Sequence, residues 1–482
     1  MAVTNGIPAA NSKNTLTVTD NRTGKSIEIA ITNNSIPAAA FTQLKAPYGA
    51  GEREENDTPY GLRVLDPSFV NTAMITSEIT YIDGNKGFLM HRGYPIEQLA
   101  EKSSYLETAY LLIYGELPSA AQYSRWQWEI MHHTFVAEDL AHIVRSMRYD
   151  SHPMSIFIAA FASMSAFAPE ANPALQGQDL YVLNKSLMNK QIVRILGKAT
   201  TIAAMAYRIR INRPFALPRS DLSYTENLLY MMDHMAEPDS FRPDPRLAKA
   251  LDILFILHAD HEMNCSTATM VHVGSSLVDP YSCVAAAASA LYGPLHGGAN
   301  EAVIRMLTKI GSVDNVPSFL ARVKSKQELL FGFGHRVYRE TDPRSKVIRQ
   351  VADMVFKVCG REPLIEIAIA LRDAALADEY FTSRKLFPNV DYWSGLIYKA
   401  MGFPLDFYPV LFVVPRVAGY LAHWKQQLDS GKNKISRPRQ VYVGKSRRDY
   451  VDLNDRQERD IDGKNGLDEI PHYISKRRLT KL

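Results

Sequence analysis

The run FYPVLFVVPRVAGYLAHW, residues 407–424, constrains the chain more than any other stretch. It approaches the length and apolarity of a membrane span, which takes about 20 residues of helix. Pro415 and Arg416 interrupt its middle, and a guanidinium facing lipid there is costly. The run is therefore expected as a helix buried inside protein. A charge in so apolar a setting is seldom structural alone, so Arg416 is a candidate functional residue in want of an anionic partner.

A chain of 482 residues has room for one large domain or two linked ones, and for a sizeable core. Its 46% hydrophobic and 22% charged residues are those of an ordinary globular protein. A formal net charge of +4 is too mild for wholesale nucleic-acid binding and leaves open a local site for an acidic small molecule. Cys265, Cys283 and Cys359 are odd in number and far apart. That usage speaks against a disulfide framework and a zinc site, and for a reducing compartment. Asp20, Arg22, Lys25 and Glu28 near the start fit neither a secretory signal nor an acid-poor transit peptide.

Two segments alternate apolar and polar residues around a turn, TLTVTDNRTGKSIEIAI at 15–31 and ITYIDGNKGFLMHRG at 79–93, and read as hairpins. From residue 94 on, apolar residues recur at helical spacing with Pro and Gly as punctuation, so the rest reads as mainly α. Beyond about residue 445 the chain is charged and poor in aromatics, as a solvated tail would be.

Four islands combine ionisable side chains with small neighbours: ILHADHEMNCST, LYGPLHGGANEA, LFGFGHRVYRETDPRSK and LFPNVDYWSG. Gly297, Gly298, Gly332 and Gly334 beside His296 and His335 are expected to let a ligand approach the backbone. Taken singly, the residues have plainer readings. His261 fits a hydrogen-bonded core histidine, Asp391 a helix N-cap, and Arg344 a salt bridge at a helix start. The histidines of HADHE lack further ligands at metal-like spacing. MHH at 131–133 and His152 read as structural or surface residues.

Taken together, GFGHRVYRETDPR, ILHADHEMN, YGPLHGGANE, PNVD and RPRQVY resemble the citrate synthase family in order and spacing, the first being like its signature around the second catalytic histidine. YIDGNKGFLMHRGYPIEQLAE and SHPM resemble its bacterial and plant peroxisomal branch, so the resemblance runs from about residue 15 to 450.

The resemblance implies an acyltransferase that joins the methyl carbon of acetyl-CoA to the keto carbon of oxaloacetate and hydrolyses the citryl thioester. The CoA thioester is then a substrate, and no metal or other cofactor is implied. On matching positions, Asp391 would take the α-proton, His296 would hydrogen-bond the thioester oxygen as an enol forms, and His335 would polarise the keto oxygen. His261, Arg344, Arg416 and Arg437 would hold the dicarboxylate, with Arg437 supplied by the other subunit of a homodimer or higher homo-oligomer, and Arg339 is the candidate for a CoA phosphate. Arginine suits such tasks because its planar fork pairs with carboxylates and stays charged when buried.

The implied fold is mainly α: an N-terminal hairpin segment over 1–93, a large helical domain over 94–299 and 406–444, a small helical domain inserted at 300–405, and a charged tail over 445–482. The run Asp391-Tyr392-Trp393-Ser394-Gly395 stands where relatives usually carry Asp-Phe-Tyr-Ser-Gly. An aromatic exchange that packs elsewhere is expected. The alternative is an altered acyl pocket and a product such as 2-methylcitrate or an alkylcitrate, made from propionyl-CoA or a longer acyl-CoA. The presence of all three acid–base candidates speaks against a non-catalytic relative that only binds CoA or oxaloacetate. Thr480-Lys481-Leu482 is a degraded form of a peroxisomal address. Peroxisomal import is expected in a eukaryotic host, a cytoplasmic location otherwise, with neither nucleic acid nor membrane as partner.

Overall fold

The computed structural model describes residues 14–45 and 61–456, apart from residues 239, 336 and 432. The C-terminal Thr480-Lys481-Leu482 lies outside the described residues. The chain divides into two units, one joining residues up to Met74 with those from Pro438 on, the other Ile75–Arg437.

In the first unit, β1 (Thr15–Asp20) pairs antiparallel with β2 (Lys25–Ala30), Thr15 opposite Ala30. The alternation of the sequence puts Ile27 and Ile29 on one face, where they form a small core with Leu44. Elsewhere this unit leaves large apolar side chains exposed, among them Leu65, Val70, Val443 and Tyr450.

The second unit opens on a hairpin, β3 (Thr80–Asp83) and β4 (Phe88–His91), extended by β5 (Tyr94–Pro95). Its turn is shaped by Asp83, whose Oδ1 accepts from the backbone N–H groups of Asn85 and Lys86 at 3.1 Å each. Helices follow, so both hairpins and the mainly α character read from the sequence are present.

Nine helices matter for the site: α1 (Tyr105–Tyr114), α2 (Lys185–Arg210), α3 (Pro245–His258), α4 (Cys265–Gly274), α5 (Pro280–Tyr292), α6 (Ala299–Ile310), α7 (Arg344–Cys359), α8 (Val390–Ala400) and α9 (Tyr408–Asp429). Their starts are written locally. Asp244 and Asp279 cap α3 and α5, each followed by proline at the first helical position, while Asn264 and Asn389 cap α4 and α8.

Helix α9 contains the apolar run. It packs against α1, α2, α3, α4 and α5, and all residues from Tyr408 to Trp424 are buried. The segment Leu405–Asp429 is long and apolar enough to cross a membrane, yet 89% of its most apolar window is buried inside the protein. Fully enclosed side chains such as Leu411, Val414 and Leu421 each contribute about 1.5–3 kcal/mol of hydrophobic stabilisation. Tyr105 of α1 donates its hydroxyl to the Pro415 carbonyl at 3.0 Å, which satisfies a backbone acceptor in the middle of the core.

Candidate active site

Each island contributes from the end of a helix, where backbone polarity is unspent. Helix α3 stops at His258, and the short connection to α4 carries Asp260 and His261. Glu262, next in the chain, is held at φ +52, a left-handed conformation that turns the backbone sharply after His261. The buried His261 ring lies with Nε2 3.1 Å from the hydroxyl of Tyr338, and its centroid is 5.2 Å from that of His335. His335 is held by its own loop: Nδ1 accepts from the backbone N–H groups of Val337 at 3.0 Å and Tyr338 at 3.3 Å. In the neutral ring the proton must then sit on Nε2, so that nitrogen is a donor.

His296 occupies the turn between α5 and α6, with Nε2 2.8 Å from Ser266 Oγ in the first turn of α4. Asp391 lies in the first turn of α8. The N-cap role open to it in the sequence belongs to Asn389, whose Oδ1 accepts from the Asp391 N–H at 3.0 Å. Among the described residues the Asp391 carboxylate has no hydrogen-bond partner, so it is free to accept a proton.

Two arginines supply charge in different ways. Arg344 opens α7 and forms the salt bridge at a helix start that its sequence suggested. Its Nε and Nη2 grip the two oxygens of Asp342 at 3.0 and 2.7 Å, with both side chains buried. Arg416 departs from expectation, since no carboxylate among the described residues forms an ion pair with it. Its Nε donates to the His258 carbonyl at 2.6 Å, and its guanidinium lies 4.7 Å from the centre of the Phe412 ring. A buried cation that among the described residues is hydrogen-bonded by a carbonyl and faced by a ring, with no ion-pair partner, can still take an anion.

This environment sets the protonation states. Burial, helped by the positive field of Arg416, holds His296 down to about 4. Burial and Arg344 do the same for His335, also to about 4, and His261 is pushed well below the ordinary imidazole value by burial, Arg344 and His335. All three rings are neutral at pH 7. Asp391 moves the other way: burial raises it to about 6 despite the opposing pull of Arg344. Burial and charge thus put a poised carboxylate among neutral imidazole donors, the combination suited to moving a proton from carbon while an oxygen takes up negative charge.

The structure brings His261, His296, His335, Arg344, Asp391 and Arg416 into one electrostatic neighbourhood. Arg339 and Arg437 are exposed, and neither side chain forms an ion pair with any described residue. Tyr338, Ser266, Asp342 and Asp260 escaped single-residue reading. Only Asp342 has a local signal, in the spacing Asp-Pro-Arg that brings its carboxylate back onto Arg344.

Two of the glycines also answer to the protein's own packing. A Cβ on Gly297 would overlap the Leu291 side chain, and one on Gly332 would lie 2.9 Å from the Tyr392 ring. Gly332 and Gly334 both have φ +76, a left-handed conformation that glycine adopts without strain. Tyr392 and Trp393 are buried. The Tyr392 hydroxyl donates to the Ala368 carbonyl at 2.7 Å, its ring stacks edge-on with Phe333, and Trp393 lies under Arg372. The aromatic exchange beside Asp391 is thus absorbed by packing.

Comparison with known proteins agrees with this geometry. Residues 68–439 match the family model described as citrate synthase, C-terminal domain. The chain is 55% identical over 454 residues to a protein named peroxisomal citrate synthase of Dictyostelium discoideum, covering 94% of this chain and 90% of that one. It is 53% identical over 444 residues to the glyoxysomal citrate synthase of Cucurbita maxima, covering 92% and 84%. Among solved structures, the citrate synthase of Thermoplasma acidophilum in ternary complex with carboxymethyl coenzyme A and oxaloacetate superimposes with a TM-score of 0.73 at 31% identity, over 80% of this chain and 98% of that one. On fold and sequence alike, the chain belongs to the citrate synthase family.

Proposed function

We propose that the protein condenses acetyl-CoA with oxaloacetate and water to give citrate and CoA. The observation that carries this reading is the carboxylate of Asp391, raised to about 6 and without a hydrogen-bond partner among the described residues, set among neutral His261, His296 and His335 beside two buried guanidiniums. Asp391 removes a proton from the acyl methyl carbon. His296, its Nε2 held 2.8 Å from Ser266 Oγ, meets the thioester oxygen on which charge accumulates. His335 presents Nε2–H to the keto oxygen of oxaloacetate, raising the electrophilicity of the carbon attacked. The substrate carboxylates neutralise Arg416 and share Arg344 with Asp342, with His261 as a further ligand. Hydrolysis of the citryl thioester then releases CoA.

Both substrates bring their own reactivity, and no metal or other cofactor enters the scheme. A small domain over 300–405 would close on the remainder to exclude water during condensation. The enzyme acts as a homodimer or larger homo-oligomer: Arg437 completes the partner's oxaloacetate site, and exposed apolar residues such as Val443 and Tyr450 offer surface for the other subunit. Arg339 serves the CoA phosphates. The enzyme is peroxisomal, in keeping with the compartments named for its relatives.

The test is thiol release from acetyl-, propionyl- and hexanoyl-CoA, each with oxaloacetate, compared by kcat/KM. Acetyl-CoA should lead, because Tyr392 and Trp393 are held in the core and leave the acyl pocket unchanged. A preference for propionyl- or hexanoyl-CoA would replace this reading with an alkylcitrate synthase. A pH profile checks the base. Activity requires ionised Asp391, so kcat/KM should fall as pH drops through about 6. No imidazole step should overlap that limb, because His296 and His335 are held at about 4. An acid limb absent down to pH 5 would exclude Asp391 as the base.

A further inference from the structure

The hairpin formed by β3 and β4 contributes none of the residues assigned above, yet it touches the supports of two of them. At its open end Thr80 and His91 face each other across the ladder. The Thr80 hydroxyl donates to Asp260 Oδ2 at 2.6 Å. Having spent its one proton there, it must accept from His91 Nδ1, 2.8 Å away. Asp260 is fully buried and also accepts from the Glu262 N–H at 3.2 Å and from His423 Nε2 of α9 at 3.3 Å. Its carboxylate therefore ties together the residues on either side of His261 and the helix that carries Arg416.

The opposite end of the hairpin reaches the other imidazole. The Gly84 carbonyl accepts from the Arg339 N–H at 2.8 Å. The approach is so close that a Cβ on Gly84 would overlap the carbonyl oxygen of Val337, the residue whose N–H holds His335 Nδ1. From Thr80 to Gly84 the strand spans about 13 Å at the usual rise per residue. A short two-stranded ribbon, pinned at one end to the His261 turn and at the other to the His335 loop, fixes the distance between two rings that must address one substrate.

We propose that the β3–β4 hairpin is a positioning element of the active site, with Thr80 setting His261 through Asp260 and Gly84 setting His335 through the 337–339 backbone. The inference rests on the reading of His261 as an oxaloacetate ligand and His335 as the donor to its keto oxygen. Thr80→Val keeps the shape of the side chain but removes the shortest donor to Asp260 and strands the His91 N–H. Displacing His261 in this way should raise KM for oxaloacetate about 10-fold, the scale expected when a binding group is misplaced by a fraction of an ångström, with KM for acetyl-CoA within about 2-fold of the parent. Thr80→Ser restores the hydroxyl and should restore KM for oxaloacetate. Gly84→Ala pushes on the Val337 carbonyl and should instead lower kcat about 10-fold through His335.

Steady-state kinetics of the four proteins, each checked for an unchanged melting temperature, decide the matter. The inference is overturned if Thr80→Val leaves KM for oxaloacetate unchanged, if both substrates' KM values rise together, or if Thr80→Ser is as impaired as Thr80→Val. Should Thr80→Val fail to fold, Thr80→Ser and Gly84→Ala still test it, since parental kinetics in Gly84→Ala would remove the tip of the hairpin from the argument. Failure of the parent protein to release thiol from acetyl-CoA with oxaloacetate would instead overturn the proposed activity, so the two failures are distinct.

Discussion

Asp391→Asn should lower kcat by at least about 10²-fold, the lower end of what a general base contributes, while leaving oxaloacetate affinity close to that of the parent. The substitution keeps size and shape and removes only the ability to accept a proton at neutral pH. The same variant should melt at a higher temperature than the parent at pH 7. Burial raises the Asp391 carboxyl from 3.8 to about 6 in the folded protein, so the native state binds more protons than the unfolded chain between those values. Stability contributed by the site is therefore lost as pH rises through that window, and at pH 7 the ionised group is a standing cost to folding. A neutral amide relieves it. Opposite movements of turnover and melting temperature are what a carboxylate kept for chemistry requires. Near-parental turnover in Asp391→Asn, followed by thiol release at saturating substrate, would remove Asp391 from the mechanism.

The two buried arginines should separate under mutation, although the sequence presents them as equals. Arg416→Met and Arg344→Leu are both expected to weaken oxaloacetate binding by roughly 2–4 kcal/mol, because a desolvated substrate carboxylate loses its charged partner. Their effects on folding should differ. Arg416 has no carboxylate partner among the described residues, so replacing it with an apolar chain of similar length should leave the unfolding midpoint near that of the parent. Arg344 is locked to Asp342, and its removal leaves a buried carboxylate without its cation, which costs about 3–5 kcal/mol. Adding Asp342→Asn to Arg344→Leu should recover much of that stability and none of the binding. Calorimetric titration with oxaloacetate and urea unfolding of the three variants give the comparison. A large stability loss in Arg416→Met with unchanged oxaloacetate affinity would refute its assignment to substrate.

What the sequence conveyed and what it concealed divide along the chain distance of the partners. The two hairpins and the buried helix around Arg416 are local matters of alternation and apolar run and are present as read, while the helix start near Asp391 is present with Asn389, two residues earlier, as its cap. The Asp342–Arg344 pair is also local, two residues apart. Tyr338 beside His261, Ser266 beside His296 and Thr80 on Asp260 join residues 77, 30 and 180 positions apart, and no pattern in one sequence connects them. The glycines show a subtler failure. Their small size was noticed, but that a Cβ on Gly297 would overlap Leu291 and one on Gly332 would crowd Tyr392 is visible only in the packed structure.

One consequence follows from the way His335 is held. The grip on Nδ1 comes from two main-chain amides, at 337 and 338, and the Val337 side chain, 36% exposed, takes no part in it. The genetic code can therefore rewrite position 337 with little effect on which ring nitrogen bears the proton, since nearly every amino acid brings the same amide. Proline alone lacks it. A survey of substitutions at this position would find the imidazole's tautomer indifferent to side-chain chemistry and closed to a single imino acid, and would thereby record a tautomer in the pattern of tolerated codons.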